Sequence, residues 1–80
     1  QMSIDDNDLH ELFIYPNPSR GEVKIELDIK AEIIVTDAVG RPMFEAVNIE
    51  KIQLSDLPKG TYIVRTLSEK GMRSQIFIVQ

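Results

Sequence analysis

The residues of this chain that could do chemistry are few, and the most suggestive group lies near its start. His10 is the only histidine, and Asp6 and Asp8 precede it at alternate positions. Carboxylates could bind calcium here, but the glycine and the closing glutamate of a calcium-binding loop are missing. A zinc site would need further histidine or cysteine ligands, and the chain has no cysteine. The sequence therefore predicts no metal site and no cofactor.

Nucleophilic catalysis has no better support. A serine becomes a nucleophile only when a base lies within hydrogen-bond reach and is oriented by a third group. The serines are scattered, mostly in predicted loops, and His10 lies in a predicted linker. Glu22 and Glu26 alternate with apolar residues, which places them on the solvent side of a strand and not in the buried setting that acid catalysis needs. We therefore expect no enzymatic activity.

Length and composition predict one globular module. Eighty residues are about half of a 150-residue domain. Apolar residues make up 42% and charged residues 28%, which is ordinary for a folded domain and too apolar for a disordered one. No apolar run approaches the roughly 18 residues that a membrane-spanning helix requires.

The distribution of charge argues against a nucleic-acid partner. The net charge is −4, and the four acids of the first twelve residues account for all of it. Residues 57–80 instead hold four basic residues against Glu69 alone. One small basic patch on an acidic chain cannot neutralise the several phosphates that nucleic-acid binding involves.

The chain reads as a series of short strands. β-Branched residues are abundant, alanine is rare, and Gly and Pro interrupt the chain at regular intervals. We predict strands at Leu12–Tyr15, Glu22–Leu27, Ile33–Thr36, Pro42–Val47, Ile49–Leu54, Thr61–Leu67 and Met72–Val79. The prediction is an all-β fold, a small immunoglobulin-like antiparallel β-sandwich of about seven strands. Residues 1–11 are predicted to be an acidic linker and residues 12–80 the domain.

The last two predicted strands also suggest a recognition surface. A three-residue hairpin loop, Glu69 to Gly71, would place Ser68 opposite Met72. The inward face would then carry Tyr62, Val64, Thr66, Ser74, Ile76 and Ile78. The outward face would carry apolar and basic residues side by side, which is typical of a protein contact. From that face we select as candidate recognition residues Arg65, Arg73, Gln75, Phe77 and Val79.

Other distinctive residues have structural interpretations. Tyr15 and Tyr62 are predicted to be core aromatics whose hydroxyls reach partners at the rim of the sandwich. The glycines are predicted to occupy turns; they are Gly21, Gly40, Gly60 and Gly71.

Several of these residues form motifs that follow one another along the chain. They are Tyr15-Pro16-Asn17-Pro18 with Gly21, the turn from Asp37 to Gly40-Arg41, the segment Leu57-Pro58-Lys59-Gly60-Thr61-Tyr62, and a strand-rich end. In these motifs, residues 13–80 resemble the C-terminal sorting domain of type IX secretion (Por secretion) cargo proteins.

The resemblance implies a domain at the end of a larger exported protein of certain Gram-negative bacteria. Its partners would be the parent cargo, the outer-membrane translocon that reads the domain in the periplasm, and a surface sortase. In many members the sortase removes the domain and joins the cargo to an anionic lipopolysaccharide, which leaves the cargo at the cell surface. The family often has a lysine in the last strand where this chain has Gln75, so that contact is either absent or supplied by Arg73.

Two classes of function remain open at this point. The first is a sorting signal that acts by recognition alone. The second is an accessory module, either an immunoglobulin-like domain docked on a parent enzyme or a carbohydrate-binding sandwich. The absence of tryptophan and the presence of only two tyrosines weaken the carbohydrate version.

Overall fold

The structure is a computed structural model that describes residues 11–80. These residues form five strands: β1 (Leu12–Tyr15), β2 (Val23–Asp37), β3 (Pro42–Leu54), β4 (Gly60–Ser68) and β5 (Gly71–Val79). Every strand pairing is antiparallel, in a single sheet. The prediction of an all-β, antiparallel domain is confirmed. The predicted linker, apart from Glu11, lies outside the described residues.

The long strand β2 organises the sheet. β3 pairs along one edge of β2, while β1 and β4 share the opposite edge end to end. Leu12 of β1 lies opposite Leu27, and Leu67 of β4 lies opposite Glu32 further along the same edge. β5 then pairs with β4. The sheet curls over its own apolar face, as half of a barrel does.

Residues 11–80 form five strands, so the prediction of about seven strands is not confirmed. The predicted strands Glu22–Leu27 and Ile33–Thr36 are the two ends of β2, and the two strands predicted between Pro42 and Leu54 together make up β3. The register of β2 against β3 shifts after Glu26, and Asn48 has a positive φ of 60°. A bulge of this kind bends a strand without ending it. The polar residues at these positions were interpreted as the ends of strands, so each long strand was predicted as two short ones. The described strands form one sheet and not the two layers of the predicted sandwich.

The core lies on the concave face of the sheet. Alternate residues of β2 point into it, as predicted for Val23, Ile25 and Leu27. The ring of Tyr62 in β4 stacks on the ring of Phe77 in β5, with centroids 5.1 Å apart. The buried apolar residues are Leu12, Ile14, Val23, Ile25, Leu27, Ala31, Ile33, Val35, Tyr62, Val64, Phe77 and Val79.

The orientation predicted for β5 is wrong. The hairpin loop has two residues, so Ser68 lies opposite Gly71 instead of Met72. A shift of one residue moves every side chain of a strand to the opposite face. Phe77 and Val79, predicted to point outward, are 0% and 3% exposed. The side chains predicted to point inward, those of Ile76 and Ile78, are 55% and 46% exposed.

The turn chemistry explains why the sequence pattern misled. Residues 76–79 are four consecutive apolar residues, so no alternation shows which of them point inward. The register then depends on loop length alone. The hydroxyl oxygen of Ser68 accepts a hydrogen bond from the amide of Lys70 at 3.0 Å, which holds the shorter turn.

Candidate recognition surface

The Pro16–Gly21 turn is fastened to the last strand. The side-chain amide of Asn17 donates to the carbonyl oxygen of Ile76 at 3.3 Å, and its oxygen accepts from the amide of Ile78 at 3.1 Å. Asn17 therefore satisfies the backbone of β5 as a neighbouring strand would.

Ser19 continues this attachment with its own backbone. Its amide donates to the carbonyl oxygen of Ile78, and its carbonyl oxygen accepts from the amide of Gln80, both at 2.8 Å. Ser19 and Val79 form an isolated parallel bridge, and Ser19 is 1% exposed. The segment that contains Asn17 and Ser19 thus lies beside the C-terminal half of β5, in the position that a neighbouring strand would take.

Gly21 joins the same turn to the segment before β4. Its carbonyl oxygen accepts from the amide of Leu57 at 3.0 Å, and its φ is +113°. A side chain here would strain the backbone and lie 3.6 Å from the Leu57 carbonyl oxygen. The predicted turn role of this glycine agrees with that geometry.

The second motif closes the turn between β2 and β3. One carboxylate oxygen of Asp37 accepts from the amides of Val39 and Arg41, and the other accepts from the Arg41 guanidinium at 2.7 Å. These bonds, led by that from the Arg41 amide, lower the pKa of Asp37 below its ordinary 3.8. The side chain of Asp37 therefore stabilises the turn between β2 and β3.

The two tyrosines of the motifs have different environments. Tyr62 is a core aromatic, as predicted, and its hydroxyl donates to the carbonyl oxygen of Pro58. Burial, followed by the nearby Asp37 charge, raises the pKa of Tyr62. Tyr15 is 42% exposed, so its predicted core position is wrong. The Tyr15 hydroxyl donates to Glu26, and this hydrogen bond raises the Tyr15 pKa.

The convex side of the last hairpin is apolar. We call it the hairpin face and define it by Ile63, Arg65, Leu67, Met72, Ile76 and Ile78. Cross-strand pairs bring these residues together, since Ile63 lies opposite Ile76 and Leu67 opposite Met72. The exposed fractions of Leu67 and Met72 are 49% and 63%. A depression of about 220 Å³ beside them is also lined by Ile34.

The five candidate recognition residues do not form one surface. Arg65 alone lies on the hairpin face, opposite Ser74. Phe77 and Val79 are core residues, while Arg73 and Gln75 lie on the same side of β5 as these two. Sequence reasoning placed Ile76 and Ile78 inward and therefore missed two of the three apolar residues that β5 contributes to the hairpin face. A two-residue loop at Glu69-Lys70 was the signal that would have found them.

Two features are absent from residues 11–80. No group of three or more histidine, cysteine or acidic side chains lies close enough together there to hold a metal ion. Among the same residues, no helix is sufficiently long and apolar to cross a membrane.

The model of the family of secretion system C-terminal sorting domains matches residues 13–80. The chain therefore belongs to this family, which indicates a C-terminal sorting signal for type IX secretion. The resemblance carried by the motifs is confirmed. No curated protein matches the chain.

Proposed function

We propose that this domain is the address of a larger cargo protein and that it works by contact alone. The outer-membrane translocon binds it after the cargo has reached the periplasm, and the cargo is delivered to the cell surface or beyond. Membership of the sorting-domain family supports the destination. The hairpin face is the observation that supports recognition by direct binding.

The hairpin face has the properties of a contact surface. Four large apolar side chains on two adjacent strands, Leu67, Met72, Ile76 and Ile78, are each between 46% and 63% exposed. Scattered exposed apolar residues are ordinary, but a contiguous patch beside a charge typically marks a protein contact. Arg65, in the middle of this patch, adds a charge that favours an acidic partner surface.

Removal by a surface sortase fits the position of the first strand. A protease requires an extended segment without strand partners, and the strand pairing of the described residues begins at Leu12. The backbone amide of Glu11 is held by Asp28 at 2.8 Å. We propose that the cut lies among residues 1–10 or just before them, ahead of the described strands.

An accessory module docked on a parent enzyme is the alternative, because the same apolar face could be covered by the parent. The two functions differ in whether the domain acts on an unrelated protein. A docked module would act only on its own parent enzyme, whereas a sorting signal would export any protein to which it is fused.

The test is to fuse the 80-residue chain to an unrelated periplasmic reporter in a bacterium with type IX secretion. We expect the wild-type fusion at the cell surface. The double variant Ile76→Glu with Ile78→Glu should leave the reporter in the periplasm, because two charges would be buried at the contact. The control is Val39→Glu, a charge at a 78% exposed apolar residue in the β2–β3 turn.

The fold of each fusion must be checked beside its location. Thermal midpoints of the double variant and the control should lie within about 4 °C of wild type, the shift that about 1 kcal/mol produces in a small domain. A wild-type fusion that stays in the periplasm would refute the address. If the folded double variant still reached the cell surface, recognition would not depend on the hairpin face.

A further inference from the structure

The side of β5 that faces away from β4 is only half covered. Asn17 and Ser19 bond to the backbone of Ile76, Ile78 and Gln80 along this side. In a strand, backbone groups point alternately to the two sides, so the amides and carbonyls of Met72 and Ser74 point the same way as those of Ile78. In the described part of the chain these groups have no strand partner. We call residues 71–75 on this side the open edge.

The open edge has few of the usual protections of an edge strand, since its one charged residue is Arg73, on the concave side. Such strands are commonly bent by bulges, very short, or lined with charges. The free edge of β3 is bent at Asn48, and β1 has only four residues. β5 pairs with β4 from Gly60 opposite Val79 to Ser68 opposite Gly71 without a register shift. It therefore offers a straight template for a further strand.

We propose that an extended segment of the receptor adds to the open edge as a new strand, in line with the segment that contains Asn17 and Ser19. This inference rests on the proposed function and names the mode of its recognition step. The slot spans about five residues, or roughly 16 Å of extended chain. Backbone hydrogen bonds at Met72 and Ser74 would supply the pairing.

The side chains beside the open edge define what that segment carries. On the convex side, Met72 and Ile76 are apolar and flank the small Ser74. Arg65 lies directly behind Ser74 on β4, and no ion pair engages it within the described residues. A carboxylate on the added strand opposite Ser74 can reach over the serine to the Arg65 guanidinium. The segment should thus read apolar, any, acidic, any, apolar.

The test separates the backbone edge from the side chains. Ser74→Pro removes the outward-pointing amide, and proline is tolerated at such positions on edge strands. Ser74→Ala makes a similar loss of the hydroxyl but keeps the amide. In the reporter fusion we expect Ser74→Ala to reach the surface as wild type does, and Ser74→Pro to lower the surface signal about tenfold, the effect of losing one backbone hydrogen bond.

Arg65→Glu and Arg65→Lys provide a second readout that does not depend on the fold tolerating proline. The exposed side chain leaves packing unchanged, and only the reversed charge should lower the surface signal. Equal delivery by folded Ser74→Pro and Ser74→Ala would overturn the strand addition while leaving the address intact. Failure of the wild-type fusion would instead defeat the proposed function. A wild-type dimer in sedimentation that Ser74→Pro dissociates would overturn the inference, because a second copy would then occupy the edge.

Discussion

The side chain of Asn17 both donates to and accepts from the backbone of β5, at Ile76 and Ile78. Few residue types can do both, because a side-chain amide carries a donor and an acceptor at fixed separation. The prolines on either side limit the turn to few conformations and so hold the amide in place. At the residue scale, the motif is explained by the strand to which it bonds.

Replacing Asn17 tests this explanation. Asn17→Ala should lower the free energy of unfolding by about 1 kcal/mol, because the amide of Ile78 loses its partner. Asn17→Asp keeps that acceptor and should cost less. Urea denaturation of both variants provides the measurement, with the exposed Arg20→Ala as control. Equal stability of Asn17→Ala and wild type would contradict the bonded turn.

The orientation of β5 is tested by two adjacent residues. Phe77→Ser should cost at least about 3–5 kcal/mol, since the ring is 0% exposed and stacks on Tyr62. Ile76→Ser, at a 55% exposed position, should cost less than about 1 kcal/mol. Chemical denaturation monitored by far-UV circular dichroism measures both. If Ile76→Ser were more destabilising than Phe77→Ser, the orientation that follows from a three-residue loop would be correct instead.

At the scale of elements, the Asp37 turn joins the two longest strands through a charge. The folded state lowers the pKa of Asp37, so the carboxylate form is the one that folding favours. Its contribution to stability is complete above the ordinary pKa of 3.8 and is lost as the pH falls through the lowered folded value. The turn between β2 and β3 therefore weakens in acid.

Replacement of Asp37 should remove this acid dependence. Wild-type urea midpoints should fall between about pH 5 and pH 2, and those of Asp37→Asn should fall less over the same range. Asp28→Asn, at a carboxylate that bonds the Glu11 amide, serves as a comparison at a second site. Parallel pH profiles for wild type and Asp37→Asn would exclude Asp37 as the source.

Local patterns predicted the elements well and their continuity poorly. Alternation identified the inward residues of β2, and turn residues identified the Asp37 and Glu69 loops. Bulges could not be predicted from the sequence, because polar residues occur both where a strand bends and where a strand ends. The face of β5 could not be derived, since residues 76–79 are apolar on both sides. Of the candidate recognition residues, Arg65 therefore lies on the hairpin face, whereas Phe77 and Val79 lie in the core.

At the scale of the whole molecule, the curled sheet buries one face and leaves the convex side of the last hairpin exposed. β1 and β4 share one edge of β2, so the strand at the start of the domain lies in the same layer as the final hairpin. The hairpin face and the open edge meet along β5, which concentrates both proposed contacts on one strand. On that strand, the buried face contributes to stability, and the exposed face is the one proposed to contact the receptor.

The extent of the domain gives a prediction at this scale. A chain that begins at Glu11 should be as stable as the full chain, because the truncation removes three acids that are unopposed in the sequence and the described strands begin at Leu12. Denaturation of the shortened and full chains decides it. A loss above about 1.5 kcal/mol, the size of burying one aliphatic side chain, would assign residues 1–10 to the domain.

The bonds between Ser19 and residues 78–80 have a consequence for when the address becomes readable. Ser19 is synthesised some sixty residues before its partners, so these bonds form only after residues 78–80 have been made. A cargo whose translation stops short of residue 76 would lack both the buried Phe77 and the anchor of the turn. A chain shortened in this way would therefore lack the folded domain that the proposed sorting step requires.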